Sequence, residues 1–229
     1  TAITIDSSEN VGIRVVPESH YTSYVGIDFG TSGGLFSNTS GTNITGLSNN
    51  AYLNSDASAW VYKETDEASY YSQTGGTHRF SVAPSGTAGN AITWSEAIRI
   101  DASGNLLVGK TSAATNVEGG ELRENGQVLA VATNVNPFFG ARLGSDGDVA
   151  VFRKDTTTVG SIGSAGSGTE LYIAGAGTNA TGIYLANSGK IVPMKASALS
   201  DATQDIGMSS YRWKDLYLSG GAYLGGTGA

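Results

Sequence analysis

The sequence of 229 residues contains no cysteine, only two histidines and only four prolines. Without cysteine, the chain has no disulfide, no thiolate nucleophile and no Cys-ligated zinc site. His20 and His78 alone leave little for a metal site of another kind, so we expect no metal and no cofactor. The few prolines and the lack of a strict glycine period exclude a collagen-like chain.

Charge is also scarce. Charged residues make up 14% of the chain, and 13 Lys and Arg against 20 Asp and Glu give a net charge of −7. Nucleic acid and anionic membrane surfaces attract basic patches, so we expect neither as a partner. No apolar run approaches the roughly 18 residues of a membrane-spanning helix, and we expect no membrane insertion.

Glycine is abundant, at 33 residues, and helical periodicity is nearly absent. Short apolar runs instead recur between Gly, Ser, Asn and Asp residues, a pattern typical of β-strands. Clear examples are Ala2–Ile5, Val11–Val16, Ala59–Lys63, Arg79–Ala83, Ile98–Ile100, Leu106–Val108, Val149–Arg153, Leu171–Ala174, Ile183–Leu185 and Leu216–Leu218. The sequence therefore predicts an all-β fold.

One unit repeats along the chain. Residues 2–13 align with residues 97–108, and residues 182–192 form a weaker third copy. Each copy has the pattern strand, polar turn, strand, and alternating residues such as Ile98 and Ile100 place apolar groups on one face. A Ser-Gly-Asn run supplies the positive-φ turn of a tight hairpin. We call these units hairpin joints, because their uneven spacing indicates that they separate unlike inserts.

The joints divide the chain into four predicted zones. Residues 1–18 contain the first joint and a shaft segment, and residues 19–96 form an aromatic-rich β insert. Residues 97–198 contain strands with few aromatic residues and form either a β shaft or a second β module. Residues 199–229 are the C-terminal segment.

The small side chains of these strands pose an energetic problem. The stretch 160–182 is almost entirely Gly, Ser, Ala and Thr, and it buries little apolar surface in a single chain. Exposed strand edges would also favour aggregation. Wrapping identical chains around a common axis buries each apolar face against a neighbour, so we expect an obligate homo-oligomer, with three-fold closure as one symmetric solution.

Several segments resemble tail fibres of tailed bacteriophages. They are AIRIDASGNLLVGKTSA at 97–113, VAVFRKDTTTVGSI at 149–162, and the insert at 47–101. The most specific is LSDATQDIGMSSYRWKDLYLSGGAYLGGTGA at 199–229, which is similar to the stretch just before an endosialidase-type intramolecular chaperone.

The resemblance implies an elongated, homotrimeric β fibre of short strands and hairpin repeats. For the aromatic-rich insert we expect a small β-sandwich-like or β-prism domain. Such a fibre belongs to the virion, joins other tail or baseplate proteins, and attaches to a glycan or outer-membrane receptor of the host. The resemblance also implies that a C-terminal chaperone assembles the trimer and then cleaves itself off. This chain is then a piece of a longer fibre.

Aromatic faces beside polar side chains suit sugar rings, because ring C–H groups pack on π-surfaces while amides bond the hydroxyls. The candidates for glycan binding are Trp60, Tyr62, Tyr70, Tyr71, His78 and Phe80. Their polar neighbours in sequence are Asn49, Asn50, Asn54, Asp56 and Gln73. The alternative is that these aromatics are core residues. Adjacent Tyr70 and Tyr71 face opposite ways in a strand, so we expect at most one to be buried.

Packing between chains has its own candidates. They are Ile98, Ile100, Trp213, Leu216 and Leu218, of which the two leucines share one predicted strand face.

Catalysis has little support in the sequence. A glycan depolymerase needs two carboxyl groups held about 5–10 Å apart with different pKa values. The acidic clusters at 64–67 and 118–124 are more typical of solvated loops or strand edges. We therefore predict no catalytic residue, and keep a passive shaft segment and a depolymerase as alternatives to a receptor-binding fibre.

Overall fold

The computed structural model describes residues 2–41, 43–55, 59–196 and 198–222. Within these ranges the chain forms strands and turns without any helix, which confirms the all-β prediction, and no helix there could cross a membrane. The chain divides into two compact units, residues 1–138 and 139–229. This division falls inside the zone 97–198, and the zone boundary at 96/97 lies within one strand of the first unit.

The described part of the first unit forms an eleven-stranded sheet and a separate two-stranded hairpin. Its strands are β1 (Ile3–Ile5), β2 (Val11–Ile13), β3 (Tyr24–Phe29), β4 (Gly33–Asn38), β5 (Ile44–Asn49), β6 (Ala51–Leu53), β7 (Trp60–Tyr62), β8 (Asp66–Thr74), β9 (Thr77–Gly86), β10 (Ser95–Ile100), β11 (Leu106–Val108), β12 (Gly119–Leu122) and β13 (Val128–Val131). The sheet follows chain order except that β6 and β7 leave it and pair with each other. Only β2 and β3 run parallel in this sheet.

The β6–β7 hairpin covers one face of the sheet. A buried cluster forms there, and Trp60 and Trp94 pack against it. Its members are Ala51, Tyr62, Ala68, Ala83 and Ile92. Because three of these five side chains are alanines, the core is thin, and its stability depends on a few large rings.

The second unit contains one antiparallel sheet in chain order. Its strands are β14 (Gly147–Lys154), β15 (Thr157–Ala165), β16 (Glu170–Gly175), β17 (Thr181–Ala186), β18 (Lys190–Lys195) and β19 (Ala198–Leu199). One face carries a buried cluster of Tyr172, Ala174, Tyr184 and Met194. Gly163 adjoins this cluster, because a side chain at that position would collide with the Tyr172 ring.

The second hairpin joint shows how the repeat is built. In the turn from β10 to β11, the backbone N–H groups of Ser103 and Asn105 each donate to Asp101 Oδ1 at 2.9 Å. The side-chain amide of Asn105 donates to Asp101 Oδ2, also at 2.9 Å. Gly104 has a φ of 88°, so the turn is closed by a left-handed residue.

The first joint repeats this geometry bond for bond. Ser8 N, Asn10 N and Asn10 Nδ2 each donate to the Asp6 carboxylate at 2.9 Å. Glu9, with a φ of 65°, takes the left-handed position that glycine takes in the second joint. The hairpin registers are equivalent as well, with Ile5 opposite Val11 in the first joint.

The other copies keep the backbone turn without the aspartate. In the 182–192 copy, Gly189 N donates to Ala186 O at 3.0 Å, as Gly104 N does to Asp101 O. A fourth turn of this kind joins β12 to β13, where Gly126 N donates to Arg123 O at 2.9 Å. Sequence reasoning did not single out this copy, in which Arg123 and Gln127 stand where the second joint has Asp101 and Asn105.

One predicted strand is wrong. Residues 216–218 form no strand, and among the described residues no strand pairs with them. Their apolar alternation resembles a strand, but a strand requires a hydrogen-bonded neighbour. Conversely, β3, β4 and β5 were not singled out from the sequence, because glycines inside them resemble turn signals. Position 46 in β5, for example, requires glycine, because a side chain there would collide with the Phe36 ring. The strand β8 contains no glycine and was not singled out either.

Candidate functional site

The β8–β9 hairpin positions most of the aromatic candidates. Its two-residue turn, Gly75-Gly76, has φ values of 55° and 73°, as a tight hairpin with right-handed strand twist requires. Successive side chains then alternate between faces, so Tyr70 and Tyr71 lie on opposite sides of the sheet.

Three of the six candidates lie on the covered face. The Tyr62 side chain is 5% exposed, and its hydroxyl donates to the carbonyl oxygen of Pro84 at 2.6 Å. Trp60 and Tyr70 stack with ring centroids 5.4 Å apart and planes 9° apart. Trp94 meets Tyr70 edge-on at 4.6 Å. These rings pack the β6–β7 hairpin against the sheet, so their role is structural.

The other three candidates lie on the opposite face, which neither β6 nor β7 covers; we call it the bare face. Tyr71 and Phe80 are direct cross-strand partners with ring centroids 4.9 Å apart. The Tyr71 hydroxyl lies 2.5 Å from His78 Nδ1, so these two side chains hold each other in place. His78 and Phe80 are exposed. Together they form an aromatic strip on the bare face, made of Tyr71, His78 and Phe80.

Two shallow depressions adjoin this strip. One, of about 450 Å³, has polar side chains such as Thr45, Gln73 and His78 in its lining. The other, of about 420 Å³, is mostly apolar and includes Leu47 and Phe80. The strip therefore separates a region rich in hydrogen-bonding groups from a hydrophobic one.

A continuous row of direct cross-strand partners crosses all eleven strands of the bare face. Its members are Ile5, Val11, Ile27, Leu35, Leu47, Tyr71, Phe80, Ile98, Val108, Gly120 and Ala130. We call it the apolar row. All of these residues are exposed or half-buried, and none is charged.

The packing candidates of the first unit belong to this face. Ile98 is in the apolar row. Ile100 lies two residues further along β10, on the same face, opposite His78 and Leu106. In the second unit, Trp213 is 75%, Leu216 77% and Leu218 55% exposed. All five candidates thus leave apolar surface uncovered in the single chain.

A buried ionic cluster lies on the covered face, centred on Asp28 in β3. Its Oδ1 accepts from Lys63 Nζ at 2.5 Å, and its Oδ2 accepts from the backbone of Glu18 at 2.8 Å and lies 3.1 Å from His20 Nε2. Burial by itself raises the pKa of Asp28, but the bonds from His20, Lys63 and Glu18 outweigh it and hold that pKa below the ordinary 3.8. The carboxylate ties the 14–23 segment to the sheet.

The second joint contains the same arrangement around Glu121 in β12. Its carboxylate accepts from Arg123, from Lys110 Nζ at 2.9 Å and from the backbone of Ala114 at 3.2 Å. The bonds from Arg123 and then Lys110 lower the pKa of Glu121 to about 2. The side chains of Lys110 and Glu121 are both fully buried.

The two clusters occupy equivalent places in the repeat. Asp28 pairs with Gly12 of the first joint, and Glu121 pairs with Leu107, the matching residue of the second. Each carboxylate bonds a backbone N–H of the segment that leaves its joint. Sequence alignment of the joints did not find this equivalence, because the carboxylates lie 16 and 14 residues beyond these positions. Both carboxylates bond to several donors inside the fold, so we assign them a structural role.

The described residues contain no group of three or more His, Cys, Asp or Glu side chains that could hold a metal ion. Of the polar residues considered beside the aromatic candidates, Asn50 is buried and bonds the backbone of Glu64 and Glu67. Asp56 lies outside the described residues. Gln73 and Asn49 are exposed on the bare face.

Comparisons with known proteins find no matching family model, no similar curated protein and no similar solved structure. The fold and the site therefore rest on the chain's own geometry, and the resemblance to phage tail fibres remains a prediction from the quoted segments.

Proposed function

We propose that this chain is a non-enzymatic segment of a homotrimeric tail fibre of a tailed bacteriophage, which attaches the virion to glycan on the host surface. The observation that carries the proposal is the exposed aromatic strip of Tyr71, His78 and Phe80 beside hydrogen-bonding side chains. The fibre-like joints and the 199–229 segment support the viral origin.

The chemistry of the strip fits a saccharide. The C–H face of a pyranose packs on the Tyr71 ring, while Gln73, Thr45 and His78 lie within the adjoining depression to bond hydroxyl groups. The lining has no carboxylate and no Lys or Arg, which favours an uncharged sugar. Each contact of this kind is weak, so attachment depends on several copies acting together.

Binding of host-surface polysaccharide to the immobilised chain tests the proposal. Tyr71→Ala removes the ring face and should weaken binding at least tenfold. Tyr211→Ala is the matched control, since Tyr211 is 77% exposed and lies in the other unit. Equal binding by wild type and Tyr71→Ala would overturn the assignment of the strip, and release of new reducing ends from the polysaccharide would overturn the non-enzymatic part.

A passive shaft segment is the second candidate, and the apolar row favours it. A row that spans all eleven strands is longer than the strip that a sugar ring needs, and exposed apolar surface of this kind fits packing against another protein. Labelling of virions with an antibody against this chain separates the candidates. An antibody that binds the fibre without blocking adsorption to cells indicates a shaft, and one that blocks adsorption indicates the binding end.

A further inference from the structure

The mostly apolar depression beside the aromatic strip has no part in the contacts proposed so far; we call it the hydrophobic depression. Its volume of about 420 Å³ lies within the range of sites that bind small ligands. None of the described residues that line it is charged, so it fits a neutral group. Besides Tyr71, the side chains that line it on the bare face are Phe29, Leu47, Asn49, Ser69, Phe80 and Val82.

Uneven side-chain size along one row of cross-strand partners creates the hydrophobic depression. The row runs from Phe29 through Gly33, Asn49 and Ser69 to Val82. The Phe29 ring lies over Gly33, where a side chain would collide with it, and forms one wall. Val82 forms the opposite wall, three strands from Gly33, which is about 14 Å at 4.8 Å per strand. Only the smaller side chains of Asn49 and Ser69 stand between the two walls.

Three neighbouring strands change character in the same direction across this face. Starting from the polar depression, the exposed or half-buried residues are Thr45, Leu47 and Asn49 in β5, Gln73, Tyr71 and Ser69 in β8, and His78, Phe80 and Val82 in β9. Successive members of each series are about 6.7 Å apart along the strand. A sugar ring on Tyr71 therefore has hydrogen-bonding groups on one side and carbon surface on the other.

Sugar hydroxyl groups suit only the polar side. The polar depression offers partners such as Gln73 and Thr45, whereas much of the hydrophobic depression is carbon from Leu47, Phe80 and Val82. A hydroxyl group placed against that carbon loses water and gains no hydrogen bond, which costs free energy. A sugar that fills both sides must therefore carry an apolar group towards the hydrophobic depression.

The polar residues within the hydrophobic depression add a second requirement. Asn49 and Ser69 are exposed there and present an amide and a hydroxyl. A methyl group alone would cover these side chains without bonding them. An acetamido group instead combines a methyl group with an N–H donor and a carbonyl acceptor, so it matches both the carbon surface and the polar groups.

We propose that the hydrophobic depression binds the acetamido group of an N-acetylated amino sugar whose pyranose ring packs on Tyr71. The C2 acetamido group and the C5 hydroxymethyl group project from opposite sides of such a ring. The hydroxymethyl group then lies in the polar depression, beside Gln73 and His78. The inference rests on the proposed binding of saccharide and names the class of sugar.

Two soluble disaccharides test the inference. Di-N-acetylchitobiose and cellobiose are β-1,4-linked dimers that differ only in the acetamido group replacing the C2 hydroxyl. Titration of each into the full chain, followed by NMR, gives the two dissociation constants. The N-acetylated sugar should bind about tenfold more tightly, which is the lower end of the discrimination that a small apolar group provides in a hydrophobic pocket.

A pair of serine variants locates the preference. Ser69→Leu fills the hydrophobic depression and should weaken binding of di-N-acetylchitobiose to the level of cellobiose. Ser95→Leu is the matched control, since Ser95 is exposed, pairs with Val82 on the far side of that wall and does not line the depression. This control should keep the preference. If circular dichroism shows that Ser69→Leu does not fold, Asn49→Ala removes the amide and should reduce the preference.

The outcomes separate this inference from the proposed function. Equal binding of the two disaccharides, or a preference that survives in Ser69→Leu, overturns the acetamido site and leaves glycan binding by the strip in place. Tighter binding of the 6-deoxy sugar L-fucose than of N-acetylglucosamine overturns it in favour of a methyl group without an amide. If neither disaccharide binds, the acetamido site is wrong, and the polysaccharide test with Tyr71→Ala decides separately whether the strip binds glycan.

Discussion

Phe80 and Ile98 are direct cross-strand partners in β9 and β10. One was a candidate for binding glycan and the other for packing between chains, yet they share one face and one row. The two predicted roles therefore fall on paired side chains, so a substitution at either position bears on both proposals.

The Phe80–Ile98 pair should show measurable coupling. Phe80→Ala, Ile98→Ala and the double variant form a cycle in which the interaction energy is expected at about 0.2–1 kcal/mol, as for other aromatic and β-branched pairs. Urea unfolding of the four proteins measures it. A coupling of zero would show that the side chains pack on something other than each other.

The left-handed residues of the two joints should respond in opposite ways to substitution. Glu9→Gly relieves the strain of a side chain at a φ of 65° and should raise the free energy of unfolding by about 0.5 kcal/mol. Gly104→Ala introduces that strain at a φ of 88° and should lower it by about 1 kcal/mol. Thermal unfolding measures both, and effects of equal sign would contradict the equivalence of the joints.

Loss of the Lys63 ammonium should be costly. Lys63→Met leaves the buried Asp28 carboxylate without its cation, and breaking such a pair costs about 3–5 kcal/mol. Lys154→Met is the control, because Lys154 and Asp155 form an exposed pair worth less than about 1 kcal/mol. Equal losses in the two variants, measured by urea unfolding, would show that the Asp28 cluster contributes no more than a surface pair.

Glu121 should make stability depend on acid. Its pKa of about 2 in the fold is below the ordinary 4.5, so the fold favours the ionised carboxylate. The resulting stabilisation is complete above pH 4.5 and is lost as the pH falls towards 2. The difference in free energy of unfolding between wild type and Glu121→Gln should therefore shrink across that window. A difference that stays constant from pH 7 to pH 2 would contradict the bonding described for Glu121.

The sequence was informative where structure is local. The Asp101-to-Asn105 turn bonds within five residues, so its type and its repetition could be predicted. Alternation alone also placed Tyr70 and Tyr71 on opposite faces, which the strand then adopts. The all-β class followed from the absence of helical periodicity.

Long-range contacts were beyond the sequence. Trp60 and Tyr62 are two residues apart and share one face of β7, but only the departure of β6–β7 from the sheet places that hairpin on the covered face. Asp28 bonds to Lys63, which lies 35 residues further along the chain, and no local sequence pattern predicts that pair. The apolar row could not be predicted from the sequence, because it depends on the register of ten strand pairs.

The two joints also define how this chain can vary. Asn10 Oδ1 accepts from the backbone N–H of Gly26 at 3.0 Å, and Asn105 Oδ1 accepts from the backbone N–H of Glu124 at 3.2 Å. The strand that follows is parallel in the first case and antiparallel in the second. Because a backbone N–H is present in nearly every residue, a joint accepts strands of unrelated sequence and of either direction. Recombination between joints would therefore exchange the whole segment between them as a cassette and keep the hairpins at its ends unchanged.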